Sequence, residues 1–385
     1  MRIAFADFSP WDYHVLSVET QPFGGSQSAA CYLARELAML GHEVFFVNHT
    51  RTPGHYAGVT CLAWSTATAP SLQALNLDVF VCLPGAGSGR LMRDVLGKKT
   101  RLVLWTQHRI DQPAVAALAQ PEESECYDAF AFVSEWQRDE FRLGFGLPFV
   151  RTQILRNAAA PAFVDLFPED RPILPQKTMP PVLAYTSTPY RGLDVLLEAF
   201  PAIRQQVPGA RLRVFSSMAV YKESAAADQA QYGTLYQRCR ETPGVEYVGS
   251  LDQPALAREL SSVSVLAYPN TFPETSCIAV LEAMASGCRI VTTAQGALPE
   301  TTAGFARLVS FGGNRSFNLQ RFVDQTVAAI REVQSGDPAV EASLRRQVDY
   351  IRENATWAVR AGQWAEWLAD VIGTSNTQLP TPNIQ

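Results

Sequence analysis

The chain is poor in the residues that build disulfide or metal frameworks. Its seven cysteines are scattered at 31, 61, 82, 126, 239, 277 and 288, an odd number with no C-x-x-C pair. That excludes a disulfide scaffold and predicts reduced, buried thiols in a cytoplasmic protein. The five histidines all fall in the first third (14, 42, 49, 55 and 108), and none stands at ligand spacing from a cysteine, so no metal site is predicted. No apolar run reaches the roughly 18 residues a membrane span needs. The opening Met1-Arg2-Ile3-Ala4-Phe5-Ala6, with Asp7 next, is too short for a signal-peptide core and reads as a strand. Charge is also sparse: 18% of residues, 32 basic against 37 acidic, net −5. A surface that tracks phosphates carries the opposite sign, so nucleic acid is excluded as the main partner.

Apolar residues are plentiful, at 47% of 385. That is globular composition and too long a chain for one ordinary core, so two domains are expected. Short apolar runs alternate with helical patterns. Ile3–Phe8, Glu43–Asn48, Asp78–Leu83, Arg101–Thr106 and Ala129–Val133 read as strands, and so do Val182–Ser187, Arg211–Ser216, Val245–Val248, Val263–Ala267 and Arg289–Thr293. A helix between the first two shows an apolar face at Ala30, Leu33, Leu37 and Leu40 and ends at Gly41. Strand–helix–strand repetition predicts an α/β fold of two doubly wound, Rossmann-like domains facing across a cleft. The boundaries are 1–160 for an N-terminal, acceptor-side domain and 161–181 for a linker with six prolines. A donor-side domain follows at 182–350, then a helix at 351–372 packing back on the N-domain, and a disordered tail at 373–385. Three tryptophans at 357, 364 and 367 mark that last helix for docking.

One segment is more specific. From Phe272 to Gly287 the chain reads FPETSCIAVLEAMASG. Thr275 or Ser276 can cap a helix start and Gly287 can end it. Glu282 is then the only charge in an apolar helix, and an unpaired buried carboxylate costs several kcal/mol. Either a distant Arg or Lys pairs with it, or ligand hydroxyls such as a ribose diol do. Glu274 precedes the helix, where unpaired backbone N–H groups can hold a diphosphate; its alternative is a solvated loop acid.

Glu274 and Glu282 form an E-x7-E spacing followed by Ala283-Met284-Ala285-Ser286-Gly287, which resembles the signature of retaining glycosyltransferase family 4, enzymes of the GT-B fold. Further segments resemble that family in the same order: Phe23-Gly24-Gly25-Ser26, Gly41-His42-Glu43-Val44, Ile154-Leu155-Arg156-Asn157, Arg191 to Phe200, and Val245-Glu246-Tyr247-Val248-Gly249. The resemblance implies transfer of a hexose-type sugar from a UDP- or GDP-linked donor, with no further cofactor. The acceptor would be a glycan, a lipid-linked sugar or a small molecule. It assigns Glu274 to the transferred sugar, Glu282 to the ribose, and the backbone of Thr275, Ser276, Cys277 and Ile278 to sugar and diphosphate. Arg191 takes the family's lysine position. The companion arginine is absent, because the preceding strand ends Tyr185-Thr186-Ser187-Thr188, so either Arg191 works alone with hydroxyl help, with Ser187 on the donor, or a cation from elsewhere substitutes. Leu251 falls where the family meets the nucleobase.

His108 follows an apolar strand at its carboxyl end, a cleft position, though a lone histidine also serves structure. Gly24 and Gly25 would admit close backbone approach to the donor, or simply turn strand into helix. Gly85-Ala86-Gly87-Ser88-Gly89 imitates a dinucleotide fingerprint, but Arg90 stands where the third glycine belongs. The adjacent Arg90, Arg93, Lys98, Lys99 and Arg101 read as a solvated face, with contact to anionic lipid at the inner membrane surface or to a phosphorylated acceptor as the alternative. Other expected activities on the same fold are a nucleotide-sugar epimerase, a sugar phosphorylase or a non-catalytic sugar-nucleotide-binding subunit.

Overall fold

All ten sequence-predicted strands form, and four more join them. The structure is a computed structural model and describes residues 1–373. The tail expected to be disordered lies outside the described residues from 374 onward.

The first sheet holds β1 (Arg2–Asp7), β2 (Glu43–Asn48), β3 (Gly54–Tyr56), β4 (Val59–Ala63), β5 (Val79–Leu83), β6 (Arg101–Trp105), β7 (Ala129–Phe132) and β8 (Thr152–Ile154). Their order is β3-β4-β2-β1-β5-β6-β7-β8, parallel except for the β3–β4 pair. The second sheet holds β9 (Val182–Tyr185), β10 (Arg211–Val214), β11 (Val245–Tyr247), β12 (Val265–Tyr268), β13 (Arg289–Thr293) and β14 (Arg307–Val309). It is ordered β11-β10-β9-β12-β13-β14, and its pairs are parallel. Each sheet therefore reverses its winding once, between β1 and β5 and between β9 and β12. In such sheets a crevice opens at the carboxyl ends beside that reversal.

The helices that matter for the site are α1 (Gly25–Met39), α2 (Glu135–Phe145), α3 (Leu193–Gln206), α4 (Gln253–Ser261), α5 (Ile278–Ala285), α6 (Pro338–Asn354) and α7 (Trp357–Gly373). In α1, Ala30, Leu33 and Leu37 are fully buried, whereas Leu40 lies past the last turn and is exposed. Gly41 takes the left-handed conformation there, with φ +86°.

The proline-rich stretch 161–181 is packed rather than extended. Phe167 and Ile173 are buried against Val340, Leu344 and Val348 of α6. Lys177 donates to the carbonyls of Ser261 and Ser286 at 3.0 and 2.7 Å, tying the stretch to the ends of α4 and α5. Helix α7 packs along α1. Its Trp364 is wholly buried, edge-on to Phe5 and Trp105 with ring centroids 6.2 and 5.0 Å away.

Candidate active site

The carboxyl ends of the two sheets face each other across a cavity of about 460 Å³. One wall comes from the loops after β1, β5 and β6 and the start of α1. The other comes from the loops after β9, β10, β11 and β12 and from α5. Every sequence-assigned site residue lines it: Gly24, Gly25, His108, Ser187, Arg191, Leu251, Glu274, Thr275, Ser276, Cys277, Ile278 and Glu282.

Glu274 is not a solvated loop acid. It is buried, and its backbone forms a bridge with Gly296 while its carbonyl accepts from Ala297 N at 2.7 Å. Gly296 has φ +59°, and a Cβ there would stand 2.3 Å from the Glu274 carbonyl oxygen. Only glycine permits that approach. The carboxylate receives Arg191 Nη1 at 2.9 and 3.0 Å and the Tyr268 hydroxyl at 2.5 Å. Tyr268 also meets Ser187 Oγ at 3.3 Å. Arg191 is no exposed helix-start charge: its guanidinium stacks 4.7 Å from the Phe272 ring and reaches Tyr221 Oη at 3.3 Å. Its Nε–H is buried without a partner.

Glu282 has the opposite environment. Burial pushes its pKa up to about 8, and hydrogen bonding from Gln253 and the Ala160 backbone offsets this only in part. No basic side chain helps, so the distant ion pair is not what holds it. Its Oε1 and the Oε1 of Gln253, at the start of α4, are both buried acceptors without a donor in the protein. Native proteins rarely leave such groups unpaired. Both line the cavity, so a ligand that brings two hydroxyls would satisfy them.

The start of α5 differs from the sequence reading. Its cap position is Cys277, whose side chain makes no capping bond. Thr275 instead spends its hydroxyl on the Gln107 carbonyl at 2.7 Å, across the cleft. Cys277, Ile278 and Ala279 at the start of α5 line the cavity, where a helix start leaves its first amides without intrahelical partners. On the facing wall, Gly24 is the cap of α1, and a Cβ there would come within 2.9 Å of the Tyr221 ring. Glycine allows the two domains to close to that distance.

His108 Nδ1 lies 3.1 Å from the Pro84 carbonyl. A carbonyl only accepts, so Nδ1 carries the proton and Nε2 is left as an acceptor. Burial lowers the ring's pKa, although the Pro84 bond and Asp7 oppose it. The histidine is accordingly a neutral hydrogen-bond acceptor in the cleft.

The glycine loop after β5 is occupied by the protein itself. Glu123 accepts the amides of Gly87 and Gly89 at 2.7 and 2.8 Å. In the neighbouring basic cluster, Arg93 is consumed by the carbonyls of Gly97, Thr100 and Cys126 and by Asp128. Arg101 also pairs with Asp128. Arg90, Lys98 and Lys99 remain exposed.

Sequence reasoning missed Tyr221, Gln253, Tyr268, Thr188 and Ser216. Thr188 and Ser216 follow β9 and β10, line the cavity, and carry buried hydroxyls without partners. The rule that ligands sit at strand carboxyl ends could have found them. Nothing in the local sequence marks Tyr221 or Gln253.

Residues 180–318 match the model of a protein family described as Glycosyl transferases group 1. The fold is GT-B. A glycosyltransferase from Rickettsia africae superposes with TM-score 0.69 at 10% identity, covering 97% of this chain and 100% of that one. Sucrose-phosphate synthase from Thermosynechococcus elongatus gives 0.69 at 15% identity with the same coverage. Anabaena HepE, in complex with UDP and glucose, gives 0.59 at 13%, covering 96% and 100%. No curated protein matches the sequence. Among the described residues no helix is long and apolar enough to cross a membrane, and no group of three or more His, Cys, Asp or Glu is arranged to hold a metal ion.

Proposed function

We propose that the protein is a retaining glycosyltransferase that moves a hexose-type sugar from a UDP- or GDP-linked donor to an acceptor hydroxyl. The observation that carries this reading is the pair of unpaired buried acceptors, Glu282 Oε1 and Gln253 Oε1, in the cleft of a GT-B fold. A ribose diol supplies two donors. The HepE complex holds UDP and glucose in the same fold.

Arg191 spends Nη1 on Glu274 and Nη2 on Tyr221, which leaves Nε–H for a phosphate oxygen. The hydroxyls of Thr188 and Ser216 and the first amides of α5 add neutral donors. They take the place of the companion cation the strand end lacks. Glu274 and His108 Nε2 accept from hydroxyls of the transferred sugar, and Leu251 lies on the nucleobase side. In front-face displacement the bond from the anomeric carbon to the donor phosphate breaks. The acceptor oxygen bonds to that carbon on the same face, and its proton passes to the departing phosphate oxygen. The protein contributes placement and preorganised charge, without a metal in the scheme. Reaction in the cytoplasm or at the inner membrane face fits the exposed Arg90, Lys98 and Lys99.

Calorimetry with UDP and GDP tests the reading. Glu282→Ala loses about ten- to a hundredfold in affinity for the better nucleotide, the size of a hydrogen-bond set to a charged group. Unchanged affinity overturns the ribose assignment. One observation favours a second reading, a sugar-nucleotide-binding subunit without turnover: Arg191 is the one arginine or lysine among the lining residues, and it is already paired. Nucleotide binding with no product across a broad acceptor panel would select it.

A further inference from the structure

The wall of the cavity that faces the donor side has its own chemistry. It is built by Ser9, Trp11, Gln27, Ser28, His108 and Gln112, which are hydroxyl, aromatic and amide groups plus one imidazole. None of them carries a positive charge at neutral pH, because burial keeps His108 neutral. Trp11 is half-buried and lines the cavity. Ser28 is buried, its hydroxyl has no partner, and the residue lines the cavity.

Beneath this wall lies an acid. Asp7 is fully buried, takes the Ser9 amide at 2.8 Å and the Tyr13 hydroxyl, and holds Gln27 Nε2 at 3.3 Å. Gln27 Nε2 reaches Ser9 Oγ at the same distance. The carboxyl thus fixes the amide and hydroxyl that face the ligand.

Of this wall's neighbouring cations, none lines the cavity. Arg109 is paired with Asp111 at 3.1 Å and stacked 5.7 Å from Phe272. Lys222 sits 3.7 Å from the Phe23 ring centroid and donates to Gln21 at 3.0 Å. Arg51 is exposed, 3.8 Å from Asp12.

We infer that the acceptor is a neutral, polyhydroxylated glycoside seated against Trp11, and not a sugar phosphate or a lipid phosphate. A phosphate on this wall would be desolvated beside a carboxyl with no cation among the wall's lining residues to meet it. Sugar hydroxyls both donate and accept, and so match Ser28, Gln27 and His108 Nε2. The apolar face of a pyranose covers an indole with little ordering cost. The term acceptor rests on the transferase reading; the binding chemistry does not.

The test is therefore run first without donor. Tryptophan fluorescence of the full chain is titrated with a neutral disaccharide (maltose or cellobiose) and with glucose 6-phosphate. The disaccharide is expected to quench and to bind at least about tenfold tighter than the phosphate, and its affinity, read by calorimetry, is lost in Trp11→Ala and restored in Trp11→Phe. With UDP- or GDP-sugar added, Trp11→Ala raises the KM for the neutral sugar about tenfold while donor Kd stays unchanged. Tighter binding of glucose 6-phosphate, no binding of either disaccharide, or a Trp11→Ala effect confined to donor Kd overturns the inference. Neutral-sugar binding without any affinity for UDP or GDP would instead remove the transferase reading and leave this one standing.

Discussion

Glu274 and Glu282 lie eight residues apart and have opposite electrostatics. Glu274 is paired with Arg191 and Tyr268, whereas Glu282 is buried with one oxygen unpaired. The second condition links binding to pH. The folded-state pKa of Glu282, about 8, lies above its ordinary 4.5. Between those values the folded protein holds a proton that the unfolded chain has released. Stability contributed by this group is therefore present below the lower value and lost as pH rises through the upper one, at no more than about 1.4 kcal/mol per pH unit. Ligand hydroxyls that donate to the carboxylate favour its ionised form. Nucleotide affinity should therefore rise from pH 6 to pH 8, with proton release on binding. Calorimetry in two buffers of different ionisation heat reads that release, and Glu282→Gln should abolish it.

At the scale of elements, the site depends on backbone contacts that side chains could not make. The loop from β12 to α5 is held in place by Gly296, where a Cβ would clash with the Glu274 carbonyl. Gly296→Ala is expected to cost about 1–3 kcal/mol in stability from the strained φ alone and to lower turnover further than nucleotide affinity. Chemical denaturation paired with steady-state kinetics separates the two. The long central strands were legible because they are buried on both faces and read as continuous apolar runs, as in Val79–Leu83 or Arg289–Thr293. Of the four missed strands, β3, β8 and β14 have three residues each, too few for a period, and β3 and β8 are edge strands of their sheet. The carboxylate pair was legible for its charge in an apolar context. Its partners were not: Tyr268 closes a strand that reads as core, Tyr221 lies in a short turn, and Gln253 starts an ordinary amphipathic helix. Their roles arise from tertiary approach, which local pattern does not encode.

At the scale of the molecule, side-chain hydrogen bonds join the two halves. The carboxylate of Glu300 accepts the amides of Glu135 and Trp136 at 2.9 and 2.8 Å, and so caps α2 from the opposite domain. Thr275 reaches Gln107 over the cleft. A charged cap on a helix start contributes about 1 kcal/mol. Glu300→Ala should loosen closure, seen as a larger radius of gyration in solution scattering without ligand, and should raise donor KM more than it lowers kcat. An unchanged radius and KM would show that Glu300 does not hold the domains together. The return of α7 to the first sheet has a consequence of another kind. Trp364 completes the core around Phe5 and Trp105, yet about 200 residues separate β8 from the start of α7. During synthesis the ribosome needs roughly 10–40 s to cover that stretch. For all of that time the nascent N-terminal half stands complete in its strands but uncovered along α1, and its final closure must wait for the other domain to be made.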